Sequence, residues 1–199
     1  MKTQHEIHAF WFGSNPDDAA LAAERAKLWW AKDPDVDTQM RRRFSSCVED
    51  AASGRLDAWL ATPRGRLALI LVTDQFPRNI YRDTAQAFHY DALARAWSRD
   101  GIRDGVHLSL RPIERVFFYL PLEHSEALAD QALSLQLFGE LAISARPEHK
   151  AVFDGFLRFA QRHHEIIARF GRFPHRNRIL GRASTAGEQA FLQQKGSSF

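Results

Sequence analysis

The chain has 199 residues, 45% hydrophobic and 26% charged, with a formal net charge of +3 and one cysteine. That length suits one buried core and forces no second domain, and the composition excludes a disordered chain. The near-balanced charge demands neither nucleic acid nor a membrane as partner, and a lone cysteine excludes an internal disulfide or a multi-cysteine metal site.

Helix signals are abundant and strand signals poor. Helices are expected near residues 4–11, 17–31, 34–53, 64–75, 84–99, 112–120, 124–144, 148–170 and 185–195. These amount to about nine in a single all-α domain over residues 1–199. Asp33-Pro34 and Thr62-Pro63 each set a capping side chain before a proline at the first helical position, where its missing N–H costs nothing. Arg111-Pro112 and Arg146-Pro147 are weaker starts. Cys47 falls on a stripe with Met40, Phe44 and Val48, a core position. Gly54, Gly101 and Gly171 are expected stops. The run Leu67 to Val72 fits a central helix apolar on all sides, since partner strands are missing; it is far shorter than the roughly 20 residues of a membrane helix. Ser98 to Ser109 is expected to be a loop. Pro121 is expected to end one helix, with Glu123-His124-Ser125-Glu126 beginning the next, so that Glu123, Glu126 and Asp130 share a face near a helix start. Phe156, Phe159, Ile166, Ile167 and Phe170 mark one face of a long helix. Thr185 and Glu188 have the spacing of a capping box. The N-terminus shows no basic region followed by an apolar stretch, which leads to the expectation of a cytoplasmic protein.

Two segments echo one another. Phe76-Pro77-Arg78-Asn79-Ile80 runs on through Arg82, Thr84 and Gln86-Ala87-Phe88. Phe173-Pro174-His175-Arg176-Asn177 runs on through Arg182, Thr185 and Gln189-Ala190-Phe191. Each reads as a helix–joint–helix corner in which Phe-Pro breaks the hydrogen-bond ladder and turns the chain. Arginine and asparagine there can serve exposed carbonyls, a structural task. Alternatively, Arg78, Arg82, Arg172 and Arg176 offer planar forks to a carboxylate or phosphate, with Asn79 and Asn177 orienting the joints. Glu123 and Asp130 are the internal rivals that could neutralise these arginines. His124, His163 and His175 could supply a general base with Glu123 as orienting carboxylate, although a core imidazole is the plainer reading of His163. Linear spacing does not show that these residues meet.

Other chemistries leave no trace. Glu-x-x-His, His-Glu-x-x-His and Gly-x-Ser-x-Gly are absent, and the glycines form no phosphate loop, so no metal and no cofactor are expected. Arg41-Arg42-Arg43 point three ways on a helix and read as a solvated face, which makes nucleic acid an unlikely partner.

The runs Leu69-Ile70-Leu71-Val72-Thr73-Asp74-Gln75-Phe76-Pro77-Arg78-Asn79-Ile80-Tyr81-Arg82, Phe117-Phe118-Tyr119-Leu120-Pro121-Leu122-Glu123-His124-Ser125-Glu126 and Arg169-Phe170-Gly171-Arg172-Phe173-Pro174-His175-Arg176-Asn177 resemble the signatures of the bacterial domain of unknown function 924 family. The opening Phe10-Trp11-Phe12-Gly13 does so too, and the likeness covers nearly the whole chain. It implies an all-α domain similar to tetratricopeptide-type helical repeats, with helix-hairpin packing and no assigned activity. The tetratricopeptide consensus itself is not visible at a 34-residue period.

Three functions stay open. The preferred one is a pocket for a small anionic molecule, built from Arg78, Asn79, Arg82, Glu123, His124, His163, Arg172, His175, Arg176 and Asn177. The second is a tetratricopeptide-like interaction module taking a peptide in a concave groove. The third is a hydrolase or lyase with His124 or His163 as base and Glu123 beside it. The oligomeric state is not legible.

Overall fold

Capping chemistry sets the helix starts. Thr3 and Glu6 form a reciprocal box ahead of α1 (Gln4–Phe12), Asp17 caps α2 (Asp18–Trp30), and Asp33 caps α3 (Pro34–Ala52). Thr62 accepts from the Gly65 N–H at the start of α4 (Pro63–Ile70). The computed structural model describes residues 2–197. From α4 the chain passes through a π-helical turn, Leu71–Gln75, straight into α5 (Phe76–Ile80). There follow α6 (Asp91–Arg103), α7 (Pro112–Glu123), α8 (Leu128–Ser144), α9 (Lys150–Phe170) and α10 (Ala186–Leu192), joined by short 3-10 turns. Counting α4, the π turn and α5 as one continuous helix gives nine among the described residues, and these contain no strand. No helix among them is long and apolar enough to cross a membrane.

The core forms around the run expected to be apolar on all sides: every residue from Leu67 to Val72 is fully buried. Aromatic rings fill the space beside it. Phe117 meets Trp11 edge to face at 5.5 Å and Trp29 at 4.7 Å, and Trp29 donates its indole N–H to the Trp11 carbonyl at 3.0 Å. Cys47 is buried in the same cluster, where burial pushes its thiol pKa up. A smaller cluster, Ile166, Ile167 and Phe173 with Phe170 and Phe191, seals the C-terminal part. Helices α7, α8 and α9 pack in chain order, but α1 also packs on α4 and α3 on α5. A solenoid repeat contacts only its neighbours, so the packing does not establish the repeat character that the resemblance implies.

Four expectations need correction. The first Phe-Pro does not break its helix. A proline inside an α-helix lacks a donor and collides with the carbonyl four residues back. Here the π turn widens the ladder just upstream, with the Phe76 N–H bonded to the Leu71 carbonyl, and Pro77 is accommodated at the start of α5. The turn comes later, where Asp83 adopts a φ of 61°. The second copy behaves as expected: α9 ends at Gly171 (φ 69°), and Pro174–Arg176 forms a separate 3-10 turn. Gly101 is not a stop. It lies inside α6, and a Cβ there would sit 2.5 Å from the Phe118 ring, so its task is close packing. Much of the expected loop from Ser98 to Ser109 is accordingly helical. Finally, Pro121 lies within α7, which runs on to Glu123, and the next helix begins at Leu128. Glu123 therefore occupies a helix C-terminus and shares no helix face with Asp130.

Candidate functional site

The π turn carries the central group of a buried polar cluster. Asp74 is fully buried, with its carboxylate 2.8 and 3.1 Å from the His124 Nδ1, 2.5 Å from the donating Gln75 amide and 3.3 Å from the Arg78 guanidinium. Burial alone would raise its pKa, but Arg78 and His124 outweigh that and hold the carboxyl well below the usual carboxylate range. Burial, reinforced by Arg78, lowers the pKa of His124. The consistent assignment is an ionised Asp74 accepting from the Nδ1–H of a neutral imidazole, with the permanently charged Arg78 as the cation that keeps Asp74 ionised.

Both corners send one arginine to this place. Arg78 grips Asp91 with a bidentate fork at 3.0 and 3.1 Å and donates to the Asp74 carbonyl. Arg176 lies 3.6 Å from the same Asp91 carboxylate and donates to the His124 carbonyl at 3.1 Å. Its guanidinium is stacked against Phe88 and Phe173 at 4.7 and 4.5 Å, and Arg78 approaches the Phe88 ring at 5.7 Å. Burial, with Arg78 as a like charge, pushes the Arg176 pKa down to about 10. Its Nε is buried without a hydrogen-bond partner among the described residues.

A second, neutral pair lies behind the first. Glu123 Oε1 is 3.2 Å from the His163 Nδ1, which also contacts the Phe159 carbonyl at 2.8 Å. A carbonyl only accepts, so Nδ1 carries the hydrogen. Burial and the charge of Asp74 raise the Glu123 pKa to about 8, and burial drops that of His163 to about 3. At neutral pH this is a carboxylic acid beside a neutral imidazole, not an ion pair. The position of Glu123 at a helix C-terminus disfavours negative charge in the same direction. The His163 ring is 6.4 Å from His124 and 5.5 Å from Phe173, and His175, its pKa driven to about 4 by burial and then Arg176, lies 5.6 Å from Phe173.

The structure thus gathers Arg78, Glu123, His124, His163, His175 and Arg176. The other expected residues work elsewhere. Arg82 and Asn79 both serve Asp37, Arg172 forks onto Glu188, and Asn177 donates to Ser184. The expected internal rivals are also displaced: Glu123 faces His163, and Asp130 pairs with Arg99 and Arg95. The carboxylates that neutralise the converging arginines are Asp74 and Asp91. A signal for Asp74 was present, since it is the lone charge in the apolar stretch from Leu67 to Phe76. Asp91 and Phe88 had none beyond the echo that includes Phe88. Among the described residues, no group of three or more His, Cys, Asp or Glu side chains could hold a metal ion.

Fold and cluster together define an all-α protein with a buried Asp–His–Arg cluster between helices. The chain belongs to the family of bacterial proteins of unknown function DUF924, whose model matches residues 7–196. It is similar to the solved structure of a protein of unknown function from Agrobacterium tumefaciens, with 38% identity, 89% of this chain and 99% of that one covered, and a TM-score of 0.75. No curated protein matches the chain.

Proposed function

We propose that the protein binds a small anionic molecule, a carboxylate or phosphate, at the guanidiniums of Arg78 and Arg176 beside His124. One observation carries this reading: arginines from the two distant corners meet at a single carboxylate, Asp91, against a shared Phe88 ring. Asp91 acts as the resident counter-ion, which the ligand replaces. Its side chain is 23% exposed whereas that of Asp74 is 0% exposed, so Asp91 is the group free to swing aside. Arg176, with one long ion pair and an unpartnered Nε, is incompletely neutralised and gains most from an added oxyanion. The test is a thermal-shift titration with short monocarboxylates at fixed ionic strength. Wild type and Arg82→Lys, whose guanidinium site belongs to Asp37, should both be stabilised, by about 2.7 kcal/mol at a hundred times Kd. Arg176→Ala should not respond. A response that survives Arg176→Ala, or none in wild type, counts against the reading.

The Asp74–His124 contact favours a second reading, a hydrolase or lyase. With Nδ1–H held by Asp74, the Nε2 of His124 is the basic nitrogen, and Asp74 takes the orienting part assigned to Glu123 in the sequence. In that case His124→Gln keeps anion binding and loses turnover of chromogenic phosphate or ester substrates. An absence of turnover in wild type ends this reading. No comparable contact favours peptide docking in a concave groove.

A further inference from the structure

The cleft bounded by α1, α2 and α3 is lined by two arginines, Arg25 and Arg43, with no carboxylate in ion-pair contact among the described residues. It is an open groove of about 500 Å³ that shares no residue with the Arg78–Arg176 cluster; Phe10, Leu28, Arg25, Gln39, Arg43 and Glu6 line it. Arg43 lies over the rings of Phe10 and Phe44 at 4.8 and 4.9 Å, which covers the face of its guanidinium and leaves the N–H edge for an acceptor in its plane. Arg25 presses on the backbone at Gly13, where a Cβ would collide with its terminal nitrogen, and its Nε is buried with no hydrogen-bond partner among the described residues. Neither arginine has a carboxylate in ion-pair contact among the described residues. Glu6, the acid in the lining, is engaged by Lys2 and the Thr3 N–H, both at 2.8 Å.

We propose that this cleft is a second binding site, for a soluble phosphate monoester with an apolar body. Two unpaired cations call for a ligand carrying two negative charges, and a phosphate monoester carries close to two near neutral pH where a carboxylate carries one. Phe10 and Leu28 supply the apolar wall on which the ester group rests. The contrast with Arg78 and Arg176 is one of competition: a ligand there must displace Asp91, and a ligand here displaces only water.

Calorimetric titration of the full chain with phenyl phosphate and with inorganic phosphate tests the assignment. Phenyl phosphate should bind about tenfold more tightly than inorganic phosphate and keep its affinity in Arg176→Ala. Arg25→Gln and Arg43→Gln should each weaken it about tenfold, with Arg43→Lys, which keeps charge but loses the planar fork, in between. Should a Gln variant not fold, the side-chain amide resonance of Gln39 in wild type decides, because bound phenyl phosphate must shift it. Equal affinity across the arginine variants, an unmoved Gln39 resonance, or retention only by phosphatidic acid vesicles would overturn the proposal.

Discussion

Asp74→Ala should lower the unfolding free energy by about 3–5 kcal/mol, the range expected when one partner of a buried charge pair is removed. The carboxylate sits in the π turn with four polar contacts and no solvent to replace them. Its loss leaves the His124 Nδ1–H and the Gln75 amide without their acceptor, and leaves Asp91 and the Asp74 main-chain carbonyl as the acceptors of Arg78. Asp74→Asn keeps the volume and an acceptor for His124 but not the charge, so it should recover part of the loss. Urea denaturation of the three proteins measures this. A change below about 0.5 kcal/mol for the alanine variant, the range of an ordinary surface substitution, would mean that Asp74 is not the centre of the cluster.

Glu123→Gln should act in the opposite direction, and only at higher pH. Folding raises the Glu123 pKa from 4.5 to about 8, first through burial and then through the charge of Asp74. The folded state holds its proton more tightly, so the stability tied to this group is fully present below pH 4.5 and is lost as pH rises through about 8. Each tenfold gain in proton affinity on folding corresponds to about 1.4 kcal/mol. Glutamine mimics the protonated carboxyl at every pH. The stability difference between variant and wild type should be small at the acid end, grow through this window, and reach several kcal/mol in favour of the variant above it. Because both proteins share all other titrating groups, the difference isolates Glu123. A flat difference from pH 4.5 to 9 would place an ionised Glu123 in the folded protein.

Much of the fold was legible because helix starts are written locally. Asp33-Pro34, Thr62-Pro63 and the Thr185–Glu188 box cap helices where their chemistry says they should. The misreadings came from residues whose role depends on distant partners. Gly101 resembles a stop, yet Phe118 across the core explains it. Pro77 resembles a breaker, but a π turn, for which the sequence has no periodic signature, absorbs it. The site was half legible for the same reason. The repeated arginines pointed to two corners that meet, and the structure brings Arg78 and Arg176 together. Which of four arginines would converge depended on acids remote in sequence: Asp37 claims Arg82, and Glu188 claims Arg172 through the box that starts α10.

The paired corners matter only if Asp91 is a displaceable counter-ion and not a permanent lock. Calorimetric titration of Asp91→Asn with a short monocarboxylate such as acetate tests that directly. Removing the internal rival should tighten anion binding by about tenfold, even as the two under-neutralised guanidiniums make the protein less stable to urea. Binding that weakens or vanishes in Asp91→Asn would contradict the account and leave Arg78, Arg176 and Asp91 as a structural clasp.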